Sequence, residues 1–161
     1  MVSYQASWIL PVSGPPIADG WVSVEDGLIA GVGDGRRADA RDLGRVAVLP
    51  SLVNAHTHLE LSYLHNAIPR AGQFVDWIRG LMRVRANHPD PRDRDILDAA
   101  RRAIADAKAS GTGLVGDISN TLVTIDLLRD AGMAAQVFYE LLGFNAADPA
   151  GRMRGARAAL D

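Results

Sequence analysis

The sequence predicts an α/β protein: a small β segment over residues 1–49, then the start of a parallel β/α array over residues 50–161. Three observations carry this. Short apolar runs punctuated by Gly and Pro fill the first segment. After Pro50 the period changes, and strand-like runs alternate with helical stripes, the pattern of a parallel sheet with crossover helices. Where the two parts meet, an apolar run leads into His56-Thr57-His58.

Residues 4–10 form the first expected strand, closed by Pro11 and Gly14-Pro15-Pro16. Residues 20–25 alternate, with Trp21, Ser23 and Glu25 on one face and Val22 and Val24 on the other. Asp26-Gly27 is a strong hairpin signal and predicts a return strand over residues 28–32. Gly31, Gly33 and Gly35 precede Arg36-Arg37 rather than a helix, so they are not a dinucleotide fingerprint. Residues 36–44 read as a polar loop and 45–49 as a last short strand. Such a segment is too small to hold a core alone and is expected to form a thin β layer.

In the second part, residues 52–55 form a strand delivering the histidines, expected to be buried, and residues 59–71 a loop over the site. Residues 73–86 form an amphipathic helix with Phe74, Trp77, Ile78, Leu81 and Met82 as a core stripe and its arginines solvated. Asp90-Pro91 predicts a helix start, with Ile96, Leu97, Ala100 and Ile104 inward and Gly111 as the stop. A strand over 114–116 ends in Asp117, a helix spans 120–131 before Gly132, and a strand over 134–142 carries Glu140. Asp148-Pro149 begins a final helix. A closed barrel needs eight strands and about 250 residues. The 161 residues, with three strands of this kind, cannot close one.

Composition narrows the function. Apolar residues make up 48% and net charge is −2, which excludes a disordered chain and a nucleic-acid binder driven by phosphate neutralisation. Without cysteine, disulfides and thiolate metal sites are excluded, so a metal must be held by His and carboxylates. No run approaches the roughly 20 apolar residues of a membrane span, and the N-terminus lacks a signal-peptide pattern. A cytoplasmic protein without membrane or nucleic-acid partners is expected. Residues two apart on a strand share a face, so His56 and His58 can grip one metal ion through neutral ring nitrogens.

Residues 50–60, Pro-Ser-Leu-Val-Asn-Ala-His-Thr-His-Leu-Glu, closely resemble the first barrel strand of the amidohydrolase superfamily. The likeness is to its deaminase and chlorohydrolase branch: triazine hydrolases and guanine and aminofutalosine deaminases. Ser51 stands where glycine is usual. Residues 110–117 resemble the family's second strand and 136–144 its third, so the likeness runs along nearly the whole chain but only the first part of the family's length. It implies a partial TIM (β/α)8 barrel, about its first three strands, preceded by a small β-sandwich segment. It also implies one divalent metal, zinc ahead of iron, with His56 and His58 as its first two ligands. The family's later ligands, and the glutamate that shuttles protons, come from strands with no match here. No catalytic acid or base is therefore identified.

Around the metal pair, Glu60, His65, Asp117 and Glu140 are candidate substrate-binding residues. Three have a plainer alternative: Glu60 as a solvated loop carboxylate, His65 as a surface histidine, Asp117 as a helix cap. His88 is expected to be exposed and Phe74 and Trp77 to be core. The resemblance implies a metal-dependent hydrolase of non-peptide C–N bonds, deaminating a nitrogen-heterocycle small molecule. Amide or chlorine hydrolysis in the same superfamily, a truncated non-catalytic partial domain, and a β-α binding module with an incidental His-Thr-His are the alternatives. A catalytic zinc normally has three protein ligands, so the 161 residues alone are expected to bind metal weakly and turn over little. An open sheet edge predicts homo-oligomerisation unless a C-terminal portion is missing.

Overall fold

The computed structural model describes residues 1–142 and 146–160. They form two compact units, Met1–Ser51 and Leu52–Asp161.

The first unit is a five-stranded sheet. β1 (Val2–Ile9) pairs antiparallel with β2 (Ile17–Glu25), and β2 with β3 (Leu28–Gly33). The Asp26-Gly27 hairpin forms as expected, with both residues at positive φ (50° and 77°), the backbone of a twist-compatible two-residue turn. β4 (Ala40–Asp42) and β5 (Ala47–Val48) both run parallel to β1 along its other edge. β4 lies in the stretch expected to be a loop. Its three residues pair with Ser3, Tyr4 and Gln5, a tertiary ladder that the polar composition conceals. Ala6, Ile9 and Val22 make a small core backed by Tyr4, Ile17 and Val48.

The second unit holds a three-stranded sheet in the order β6 (Leu52–Thr57), β7 (Thr112–Ser119), β8 (Ala134–Tyr139), all parallel. A 3-10 helix, Leu59–Leu64, replaces the expected loop directly after β6. Then come α1 (Phe74–Ala86), α2 (Arg94–Ala109), α3 (Thr124–Asp130) and α4 (Pro149–Leu160). α2 buries Ile96, Ala99, Ala100 and Ile104, the spacing of one helical face. With Leu59, Val115, Leu127, Leu128 and Met133 it forms the unit's core. Gly111 and Gly132 end α2 and α3 at positive φ, as expected. Asp148 opens α4, its Oδ1 accepting the Gly151 N–H at 2.8 Å.

Four expectations are corrected. α2 starts at Arg94, capped by Asp93, whose carboxylate accepts the Asp95 N–H at 3.1 Å. Asp90 instead accepts the Arg92 N–H at 2.9 Å in a turn of its own, the usual rivalry between an Asx turn and a cap. α3 begins at Thr124 rather than residue 120, because residues 120–123 are taken up by the polar turn after β7. The stripe of α1 is not core: no residue of α1 is buried, and Phe74 is 74% exposed and stacks on Trp77 at 5.9 Å. β6 is likewise open, with Leu52 52% and Val53 60% exposed, because β7 is its only neighbour among the described residues. Gly143 and Phe144, at the end of the third expected strand, lie outside the described residues.

Gly116 of β7 packs directly against the Ala55 backbone of β6. A Cβ there would meet the backbone carbonyl group of Ala55, its carbon at 2.9 Å, so Gly116→Ala must separate the two strands. It is expected to cost about 1–3 kcal/mol, read as a lower urea midpoint, while Gly72→Ala, with open space around it, leaves the midpoint in place. The exposed apolar strands and free sheet edges also predict concentration-dependent association in sedimentation velocity. A clean monomer across the concentration range would contradict this.

Candidate metal site

β6 does not reach the histidines as a regular strand. Asn54 pairs with Val115 and Thr57 with Asp117, so three steps along β6 match two along β7. The extra residue is a bulge at Ala55-His56, and bulges commonly re-aim side chains beside functional sites. Gly116, without a side chain, lets that bulge close on β7. His58 follows the strand's end with φ −124° and ψ 79°, leading into the 3-10 helix. On an ideal strand the two rings would share a face; here a bulge and a turn bring them together, their centroids 5.2 Å apart at 71°.

His56 is exposed and His58 half-buried. The His58 Nδ1 is fully enclosed and has no hydrogen-bond partner. An enclosed, unpartnered imidazole nitrogen beside a second imidazole suits a divalent ion of the zinc or iron type. Among the described residues no third His, Asp or Glu joins the pair in a cluster able to hold a metal. The donor set fits a metal but does not complete one.

Asp117, at the carboxyl end of β7, is completely buried. One carboxylate oxygen accepts the Leu59 N–H at 2.8 Å and the other the Thr124 hydroxyl at 2.6 Å. Burial pushes its carboxyl above the usual range, against those two hydrogen bonds. It caps no helix at residues 119–120; it ties the first residue after His58 to the start of α3.

Glu60 is 3% exposed, which rules out a solvated loop carboxylate. Its Oε1 accepts from Asn120 N at 3.0 Å and Arg85 Nη2 at 3.2 Å. Its Oε2 accepts from Ser119 Oγ at 2.6 Å, Thr121 Oγ1 at 2.5 Å and Thr121 N at 3.1 Å. Burial works to raise its pKa, but the Ser119, Thr121 and Asn120 hydrogen bonds and the Arg85 charge outweigh it and hold the carboxyl below the usual range. Arg85 therefore leaves the solvated face expected of the α1 arginines. Glu140 joins the same network: Asn120 Nδ2 donates to its carbonyl oxygen at 2.8 Å and to its Oε2 at 3.1 Å.

His65 is exposed and shares with His58 an open groove of about 750 Å³ that Trp77 and Arg102 also line. His88, expected to be exposed, is half-buried because its ring packs edge-on against Tyr63 at 5.0 Å. The structure thus gathers His56, His58, Glu60, Asp117 and Glu140 at one end of the sheet. Ser119, Asn120, Thr121 and Arg85 belong there too and were not foreseen. Their one sequence signal was the polar run Ser119-Asn120-Thr121 straight after a strand.

Comparison with known proteins follows the same line. No family model matches the chain. A Helicobacter pylori protein named adenosine deaminase is 35% identical over 96 residues, covering 60% of this chain and 22% of that protein. A Moorella thermoacetica 5-methylthioadenosine/S-adenosylhomocysteine deaminase is 27% identical over 143 residues, covering 84% of this chain and 33% of that protein. The crystal structure of H. pylori aminofutalosine deaminase in complex with methylthio-coformycin superposes with a TM-score of 0.79 at 26% identity, over 99% of this chain and 39% of that one. The chain spans between 22% and 39% of the lengths of these proteins. The resemblance carried by the His-Thr-His segment is borne out.

Removing the buried anion tests the network. Glu60→Ala leaves the Ser119, Asn120 and Thr121 donors without their acceptor and is expected to lower the unfolding free energy by about 3 kcal/mol. Glu60→Gln, which keeps one accepting oxygen, is expected to cost about half as much. Urea unfolding followed by tryptophan fluorescence measures both; equal, near-zero losses would show that the donors find other partners.

Proposed function

We propose, from a chain whose sequence and fold match the amidohydrolase-superfamily deaminases, that it is the N-terminal portion of a metal-dependent hydrolase that deaminates a nitrogen heterocycle. The observation that carries this is the His56–His58 pair, with its enclosed, unpartnered Nδ1, at the carboxyl end of a parallel strand. That is where β/α barrels place their chemistry. In this reading β6, β7 and β8 are the first three strands of a (β/α)8 barrel over residues 50–161, and residues 1–49 are the β-sandwich segment before it.

His56 and His58 hold the ion, zinc ahead of iron. When bound, the metal supplies the Lewis acidity that makes water nucleophilic near neutral pH. Water replaces the amino group on the ring carbon and ammonia leaves. The relatives bear the names of adenosine, methylthioadenosine and aminofutalosine deaminases, which favours an aminopurine nucleoside as substrate class. His65, exposed on the groove it shares with His58, is the candidate placed to meet substrate. Glu140, at the end of β8, has one carboxylate oxygen taken by Asn120 and is the second candidate. Glu60 and Asp117 have their oxygens filled by protein donors, which supports a framework role for both.

With two ligands, the 161-residue chain does not complete a catalytic ion. The test is ammonia release from adenosine and 5′-methylthioadenosine by the protein made from the longest reading frame containing this sequence, loaded with zinc or iron. Turnover is expected there, absent from the 161-residue chain, and abolished by His56→Ala with His58→Ala. Full activity in that double variant would overturn the assignment of the metal ligands. No ammonia from the metal-loaded long form, with any amino-heterocycle tested, would sink the deaminase reading.

A further inference from the structure

We propose that Asp117 is a positioning residue for the metal held by His56 and His58, acting by fixing the peptide that joins His58 to Leu59. This rests on the metal assignment under Proposed function. The His58–Leu59 peptide is gripped on both sides. Its N–H donates to Asp117 Oδ1 at 2.8 Å, and its carbonyl accepts the Leu61 N–H at 3.0 Å. A peptide unit is planar, so holding both ends fixes ψ of His58 and the direction in which its Cβ leaves the backbone.

The grip is itself rigid. The second Asp117 oxygen is held by the Thr124 hydroxyl at 2.6 Å, which keeps the carboxylate from turning about its own axis. Asp117 stands on the central strand of the three, paired with Thr57 on one side and Val137 on the other. Leu59, on the far side of the gripped peptide, is 5% exposed and anchored in the core with Ile104 and Val115. Thr57 before it is held in the sheet. At residue 58 the ring's enclosed Nδ1 has no hydrogen-bond partner. The backbone under the ligand is fixed while that nitrogen is left unpaired. Groups that orient metal-binding histidines from behind typically change affinity by 10–100-fold when removed.

Zinc titration of the 161-residue chain, followed through histidine-ring nitrogen signals in NMR, tests this without relying on turnover. Wild type is expected to show saturable shifts at both rings, lost in the His56→Ala, His58→Ala variant. Asp117→Ala is expected to weaken zinc at least about tenfold, and Asp117→Asn, whose amide oxygen still accepts the Leu59 N–H, to stay within about threefold of wild type. Thr124→Val removes the neighbouring bond but spares the Leu59 contact; it is expected to lower thermal stability while keeping zinc affinity. If Asp117→Ala fails to fold by circular dichroism, Asp117→Val with Thr124→Val takes its place, since an apolar pair restores packing yet leaves Leu59 N–H without an acceptor. Wild-type affinity in a folded variant without the acceptor, or equal loss in Asp117→Asn, would overturn the proposal while leaving the ligands intact. No zinc response in wild type would overturn the proposal, since Asp117 would then position no ion in this chain, while the ligand assignment is decided separately by the double variant of the long form.

Discussion

A carboxylate 97% removed from water must have its charge answered by donors, and the second unit is arranged around doing this for Glu60. The donors come from Ser119, Asn120 and Thr121 after β7 and from Arg85 near the end of α1. Asn120 then reaches Glu140 at the end of β8. One buried anion therefore ties together the segments that leave all three parallel strands. Asp117 adds the second tie, from β7 to Leu59 and to the start of α3. The His58 turn is held next to both carboxylates, since Asp117 accepts the Leu59 N–H and Glu60 is the residue that follows, so its geometry is inherited from them.

The balance of forces in this unit explains why polar contacts matter so much. The core is modest: α2, α3 and one face of β7 enclose it. β6 and α1 contribute almost nothing buried to it. Hydrophobic burial scales with area removed from water, so elements this open gain little from it. What holds the end of β6 in register is the ladder to β7, the close approach at Gly116 and the hydrogen bonds of Glu60 and Asp117.

Local signals were legible in the sequence and long-range ones were not. The Asp26-Gly27 hairpin, the stripe of α2 and the glycine stops of α2 and α3 depend on neighbours a few residues away, and all appear. The histidine pair was legible because two residues carry it. Glu60 was not: its donors lie 25 and 59–61 residues further on, and nothing local says that a loop carboxylate will be buried. The bulge at Ala55-His56 was equally hidden, since it exists only in the register between β6 and β7. The stripe of α1 misled for the opposite reason. It is truly amphipathic, but periodicity says only that a face wants cover, and no described element covers Phe74.

An incidental His-Thr-His at a strand end would be expected to look different. A histidine that merely caps a sheet keeps its ring nitrogens in water or gives them to a carbonyl or hydroxyl, because enclosing one without a partner costs about 1–3 kcal/mol. Here the Nδ1 of His58 is enclosed and unpartnered, although hydroxyls and carboxylates crowd the same end of the sheet. Those groups are turned towards one another and towards the backbone, not towards the imidazole. A bulge that Gly116 lets close on β7, and a peptide gripped on both sides, then set the two rings edge to face. A constrained backbone beneath a ring nitrogen without a partner supports the proposed ligand role of His58 over a capping one.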